Sequence, residues 1–405
     1  IQFCEQFGLY QESDVIKAGL KRSGLSYLFG TVAPFFPVKE LLLSVNYLAA
    51  LFNNDDKLDE VSPSPEPEQP STEEEKPTES LHRHNTWGLT SLSSLALLGA
   101  LSGDKVSKNA PSRVKAMAAL YKDLKEYDIV DAESAPAFYE TLGRYLQSCQ
   151  VEQIDAASHS RRAVDEQSYL LNREKTGGLP NVLAFQLKLI GIEMDRLSKE
   201  YPEFNDMVVA LAGAVGALND LISLPKELKE VEVQAKAILH RKYLEKKASL
   251  EEKAKSFTEF PQKFKDELEQ LADRADHPTE EDIKRVVSRN LVLIKWKRGV
   301  PLGQAIDETR QKYQEYIESY YRRRASFLAG ASHNQDWGAK LALLIMDGWL
   351  SGHPVWALLS GRYHKIGRLS ILAINEFCKE LRNTQTTQIK SVPEVLRMFS
   401  RVVGT

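Results

Sequence analysis

Apolar side chains recur at three- and four-residue steps along almost the whole chain, the period of a helix with one buried face. The pattern predicts an apolar helix over 38–54 that runs into Asp55 and Asp56. It predicts amphipathic helices over 112–125, 134–150 and 160–174, and another over 181–200 after Pro180. A helix over 205–231 has a nearly all-apolar first half, Met207 to Leu218, which should be buried on every side. Residues 228–256 are rich in Glu and Lys with apolar residues interspersed, and read as an exposed helix. Helices over 279–298, 301–328, 335–350 and 364–383 complete the set. No alternating strand pattern, Gly-rich phosphate loop or fixed-period repeat occurs. The expected fold class is therefore all-α.

One segment breaks the period. Residues 61–80 hold five prolines and many acids, with one valine as their only apolar side chain, too little to join a packed core. Both flanks carry helices of the same character. The segment therefore reads as an acidic, Pro-rich insertion within a single helical domain spanning 1–405.

Composition narrows the function more by exclusion than by choice. A chain of 405 residues with 42% hydrophobic side chains can bury a large core. Its 53 basic and 56 acidic residues leave a net charge of −3, with no basic patch for nucleic acid. Three widely spaced cysteines argue for a reducing compartment and against a disulfide frame or zinc knuckle. There is no HExxH, and the HxH at His82 and His84 lacks further ligands for zinc. No run of 18 wholly apolar residues occurs and the first residues lack a signal-peptide layout, so a cytoplasmic chain with no stable membrane insertion is expected.

Two clusters carry candidate chemistry. Residues 55–59 read DDKLD, and on a helix Asp55 and Asp59 share a face, so their carboxylates can bridge one hard cation. The alternative is that these acids simply begin the acidic loop. Residues 219–227 read NDLISLPKE. Asn219, Ser223 and Glu227 stand four apart, with about 40° of drift per step, and so project from one side of a helix. An amide, a hydroxyl and a carboxylate are hard oxygen donors suited to Mg²⁺. Their place at the end of a strongly apolar helix is costly unless something uses them; polar capping of the helix is the alternative. Pro225 lies between Ser223 and Glu227, and a kink there would displace Glu227 unless a compensating kink elsewhere restores the geometry.

The two clusters together, in this order, resemble the paired metal-binding motifs of class I terpene synthases of the single-domain microbial type. Two more segments carry the likeness. Arg173, in NREKTGG and 46 residues before Asn219, matches the family's diphosphate-sensing arginine, with Thr176 and Gly177 at the linker and effector positions. Trp356 to Tyr363 resembles the family's WxxxxxRY signature, with Arg362 and Tyr363 as diphosphate donors. The resemblance implies a helical bundle around a central apolar cavity and a terpene cyclase that ionises a prenyl diphosphate. It ranks geranylgeranyl diphosphate first as substrate and farnesyl diphosphate next. It implies three Mg²⁺ ions, replaceable by Mn²⁺, held by Asp55, Asp59, Asn219, Ser223 and Glu227. Arg173, Lys226, Arg362 and Tyr363 would bind diphosphate, Asp56 and Asp220 would stand behind the ligands, and the protein would form a homodimer. The competing readings are a trans-prenyltransferase, which would need a second DDxxD where NDLISLPKE stands, and a non-catalytic helical scaffold that keeps the fold.

Overall fold

The structure is a computed structural model describing residue 6 and residues 24–59, 96–157, 165–254, 261–286 and 289–360. The insertion at 61–80, the helix expected over 364–383, and Arg362 and Tyr363 lie outside the described residues. For 52–59 the backbone is described and the side chains are not, so Asp55, Asp56 and Asp59 are placed only as part of a helix.

Every regular element among the described residues is helical, as the period predicts. In chain order these include α1 (Leu25–Val32), α2 (Val38–Asp59), α3 (Ser112–Leu124), α4 (Pro136–Ala157), α5 (Glu166–Thr176), α6 (Leu179–Leu189) and α7 (Met194–Glu200). They continue with α8 (Glu203–Ala254), α9 (Gln262–Asp276), α10 (Glu280–Lys284), α11 (Leu291–Lys297), α12 (Leu302–His333) and α13 (Trp337–Leu359). The chain divides into two compact units, 1–219 with 310–369 and 220–309 with 370–405.

In the first unit, α2 packs on α3, α4 and α6, while α1 packs on α2 and α13. Aromatic side chains fill the centre. Tyr47 stacks on Phe185 at 4.3 Å between centroids, with Phe138 5.6 Å away, an arrangement that adds to the burial of large apolar area. The buried Tyr47 hydroxyl donates to Asn181 Oδ1 at 2.5 Å, and Asn181 Nδ2 donates to the Phe138 carbonyl, so the polar atoms lost to solvent are replaced within the core. Close approach of α1 to α13 depends on two glycines one turn apart. A Cβ at Gly348 would meet the Val32 carbonyl, 2.8 Å from its carbon, and one at Gly352 would lie 2.8 Å from Thr31 Oγ1.

The start of α13 is fixed by charge. Asp336 caps it, accepting from the Ala339 amide at 2.9 Å. The same carboxylate accepts from Arg196 Nη1 at 2.7 Å and from the Tyr201 hydroxyl at 2.9 Å. These donors, Arg196 foremost, hold Asp336 down at about 2 from an ordinary 3.8. A depressed acid contributes stability that is complete above its ordinary value and lost as pH falls through the folded one. Melting followed from pH 4 to pH 2 should therefore fall more steeply for the wild type than for Asp336→Asn. Parallel curves over that interval would show that the pair contributes nothing.

The second unit has its own core, in which Leu224, Leu228 and Val231 of α8 meet Val292, Leu293 and Trp296 of α11. Before it, Asp282 closes a capping box with Thr279 and accepts two bonds from Arg274, fixing the short α10.

The helices expected over 134–150, 301–328 and 335–350 run on to Ala157, His333 and Leu359, and three further differences concern how helices are divided. The helix expected over 181–200 is two, because the chain turns at Gly191 with φ +73°, a backbone state that glycine adopts without steric cost. The helix expected over 279–298 is broken into α10 and α11, because Asn290 caps the second piece by accepting from the Val292 and Leu293 amides. The helices expected over 205–231 and 228–256 are one, α8, which runs through Pro225 without interruption. Proline leaves the Leu221 carbonyl without its helical donor, a cost of about 3 kcal/mol. Burial of Leu224, Leu228 and Val231 on both sides of it, roughly 1.5–3 kcal/mol for each fully buried side chain, holds the helix together. By length and composition α8 is also apolar enough to cross a membrane, and its apolar stretch is mostly buried within the protein.

Candidate active site

The site grows from the contact of α5 with the apolar half of α8. Asp165 starts α5 by accepting from the Ser168 amide. Gly177 and Gly178 end it, Gly178 at φ +69° so that the chain can turn into α6, whose first turn carries Pro180. Gly177 itself is exposed at this corner, and Thr176 before it is buried.

The last turn of α5 presents Arg173 and Glu174 to α8. Arg173 lies along α8 where Gly216 has no side chain: a Cβ there would come within 3.0 Å of Arg173 Cγ. Its Nη2 donates to Asn219 Oδ1 at 2.5 Å. Glu174 accepts from the Tyr316 hydroxyl of α12 at 3.2 Å. The Tyr316 ring in turn sits on Gly213, where a Cβ would lie 2.6 Å from Cδ1 and closer still to Cε1 and Cζ. Burial raises the Glu174 carboxyl above its ordinary value, with the Tyr316 bond acting against it. Gly213, Gly216 and Asn219 thus form a row at three-residue steps that brings α5 and α12 close to the backbone of α8.

The structure therefore brings Arg173 and Asn219 together, 46 residues apart in sequence. Ser223 is buried one turn beyond Asn219, and Glu227 is half-buried one turn further, on the same uninterrupted helix. Lys226 is exposed and pairs with Glu230 at 3.6 Å. Asp220 is held by other groups. Its Oδ2 accepts from the Leu291 amide at 3.0 Å, and its carbonyl accepts from Asn290 Nδ2 at 2.6 Å. Asn290 Nδ2 also lies 3.5 Å from Ser223 Oγ. Asp220 thus anchors the start of α11, a helix N-terminus where a carboxylate is favoured. Asp55 and Asp59 lie in the last turns of α2, so the DDxxD continues a helix instead of opening a loop.

An apolar cleft lies beside this contact. Ala214 and Leu218 of α8, Tyr313 of α12, and Trp349, His353 and Pro354 of α13 line it, with no space between them wide enough for a water molecule. Trp349 is held by donating Nε1 to Gln186 Oε1 at 2.9 Å and by an edge-on Phe29. His353 stands between Trp349 and Trp356, with ring centroids 6.2 and 5.5 Å away. Its imidazole is pushed down to about 4, first by burial and then by the positive charge of Arg173. It is neutral at ordinary pH.

Sequence reasoning missed His353, the Glu174–Tyr316 pair, and the bond that ties Asn290 to Asp220. Asn290 had a local signal, a capping residue type just before the apolar run Leu291–Ile294. His353 had only its spacing, four after Trp349 and three before Trp356, which places the three on one helix face.

The comparisons identify the family and the fold. The family model described as terpene synthase family 2, C-terminal metal binding, matches residues 47–258, just over half of the chain. That span contains the DDxxD, Arg173 and the whole of NDLISLPKE. Among solved structures, α-eudesmol synthase is similar at 15% identity and a TM-score of 0.58, over 89% of this chain and 92% of that one. Germacradien-4-ol synthase from Streptomyces citricolor is similar at 16% and 0.58, over 88% and 90%. Linalool/nerolidol synthase from Streptomyces clavuligerus, in complex with 2-fluorogeranyl diphosphate, is similar at 16% and 0.56, again over 88% and 90%. At these identities the likeness shows the fold. No curated protein matches the chain by sequence. With its helical fold shared and more than half of its length matched by that metal-binding family model, the chain belongs to terpene synthase family 2 and is a terpene synthase of the all-helical class I type.

Proposed function

We propose that this terpene synthase uses Mg²⁺ to ionise a linear prenyl diphosphate, geranylgeranyl diphosphate first and farnesyl diphosphate next, and closes the cation into a cyclic terpene. The observation that carries the reading is the hydrogen bond from Arg173 to Asn219 within the region matched by the metal-binding family model. It puts a guanidinium suited to bidentate phosphate binding beside the first member of an oxygen-donor row. The order of substrates follows the resemblance of the motifs.

The donor set fits such an ion. Asn219, Ser223 and Glu227 supply an amide, a hydroxyl and a carboxylate oxygen one turn apart on α8, the hard donors that Mg²⁺ takes. Asp55 and Asp59 of α2 would hold two further ions, and Mn²⁺ would serve in place of Mg²⁺. Bound there, the metal supplies positive charge against the leaving diphosphate. Arg173 holds diphosphate oxygens as charge develops on them, with Lys226, Arg362 and Tyr363 as further donors. The apolar side chains of α8 and α13 exclude water from the cation, and the Trp349 and Trp356 faces stabilise it by about 0.5–2 kcal/mol each. Pockets for ligands of this size run to about 300–1,000 Å³. The cleft holds no space wide enough for a water molecule, so a prenyl chain enters only as the helices around it part. The reading takes 1–405 as one catalytic domain acting as a cytoplasmic homodimer, with the segment at 61–80 as a passive insertion and without a nucleic-acid or membrane partner.

The test is to incubate the purified chain with Mg²⁺ and, separately, geranyl, farnesyl and geranylgeranyl diphosphates, and to analyse the extracts by gas chromatography–mass spectrometry. A cyclic terpene from one substrate, lost on adding EDTA, is the expected result. Longer prenyl diphosphates formed with added isopentenyl diphosphate, or no conversion of any substrate, would overturn it.

A further inference from the structure

Resting on that reading, we infer that His353 is the base that ends the reaction, its Nδ1 taking the proton whose loss converts the last carbocation into an alkene. The cleft lining is otherwise hydrocarbon or indole, apart from the Tyr313 phenol. His353 Nδ1 is fully buried and has no hydrogen-bond partner among the described residues. An unsatisfied buried polar atom costs about 1–3 kcal/mol, and among the atoms so placed His353 Nδ1 is the one that belongs to a cleft-lining side chain. Trp349 and Trp356 flank the ring, so the aromatic faces best suited to a cation lie on both sides of the one imidazole in the cleft.

The electron count closes without a further reactant. The C–H bond next to the cationic carbon breaks, its pair becomes the new π bond, and the proton goes to the Nδ1 lone pair. The resulting imidazolium is destabilised by the surroundings that keep His353 neutral at rest, burial and the charge of Arg173, so it gives the proton up again. Tyr313 is a poor rival. Burial raises its phenol, so it stays protonated, and a neutral phenol oxygen is a much weaker base than imidazole.

The experiment compares the wild type with His353→Asn and His353→Phe on the prenyl diphosphate that the wild type converts, in the presence of Mg²⁺. Diphosphate release and the product distribution are measured together, with melting curves to verify folding. Diphosphate release shows whether ionisation still takes place in each variant, and the product distribution shows how the last cation ends. In both, the wild-type alkene should fall at least tenfold as a share of products, replaced by isomeric alkenes or alcohols. The side chains differ in opposite directions, Asn being smaller and Phe an aromatic ring without nitrogen, so equal loss in both reports the missing base and not a changed shape. Retention of the wild-type alkene as main product in either folded variant overturns the inference, as does a wild-type product that is an alcohol. A wild type that releases no diphosphate from any of the three substrates overturns the cyclase reading itself, a result distinct from a failure of His353 alone.

Discussion

Replacing Asn219 by Ala together with Glu227 by Gln is expected to reduce diphosphate release by roughly a thousandfold or more while leaving the helical signal nearly unchanged. Two of the three oxygens on α8 are removed or weakened, and the electrostatic stabilisation they organise is the largest contribution to this kind of catalysis; a single such donor is worth about 10²–10³ in rate. The effect on the fold is small because neither side chain fills a core: Asn219 and Glu227 are only half-buried. The Arg173 bond lost with Asn219 is a charge-assisted one, so about 1.5–3 kcal/mol is the upper bound on the structural cost. Steady-state diphosphate release and a thermal melt on the same preparation separate the two effects. A folded double variant that turns over at the wild-type rate would remove the α8 triad from the reaction.

The second large effect concerns packing. Gly348→Ala is expected to cost about 3 kcal/mol, the upper end for overpacking a core. The added methyl meets the backbone of Val32, which cannot rotate aside as a side chain would. Relief therefore requires α1 to lift from α13, exposing Phe29 and weakening its edge contact with Trp349. Gly143→Ala is the control. It also lies within a helix, but a Cβ there meets nothing within 4 Å, so the change should stabilise by about 0.5–1 kcal/mol through helix propensity. Chemical denaturation of the two variants should move the midpoint in opposite directions. Equal shifts would mean that the α1–α13 contact is softer than its geometry requires.

What could be read before the structure follows from how local each signal is. Helices were legible because their period is local. The DDxxD and NDLISLPKE clusters were legible because four-residue spacing on a helix implies a shared face, whatever surrounds it. The two helices expected at 205–231 and 228–256 are continuous because core packing around Pro225 outweighs proline's local penalty, and that packing comes from residues 60 and more positions away. Asp220 was expected to stand behind the ligands, yet the group it holds, the Leu291 amide 71 residues on, is a pairing no local pattern encodes. His353 was invisible for a related reason. Its character comes from an Nδ1 with no hydrogen-bond partner among the described residues, and that is a property of the assembled cleft.

The bond between Arg173 and Asn219 also sets a thermodynamic relation between the two ligands of the proposed site. In the free protein the guanidinium engages the same amide oxygen that would face a cation. A metal drawing on that oxygen loosens Arg173 for phosphate, and phosphate drawing on Arg173 frees the oxygen for metal. Each ligand thus carries part of the cost of releasing the other's partner, and linkage makes the benefit equal in both directions. Titration calorimetry should show Mg²⁺ binding more tightly in the presence of inorganic diphosphate than accounts for the complex the two form in solution. In Arg173→Ala, with that guanidinium no longer engaging Asn219, metal binding alone should tighten and its dependence on diphosphate should shrink. An unchanged dependence in that variant would mean that the two sites fill independently.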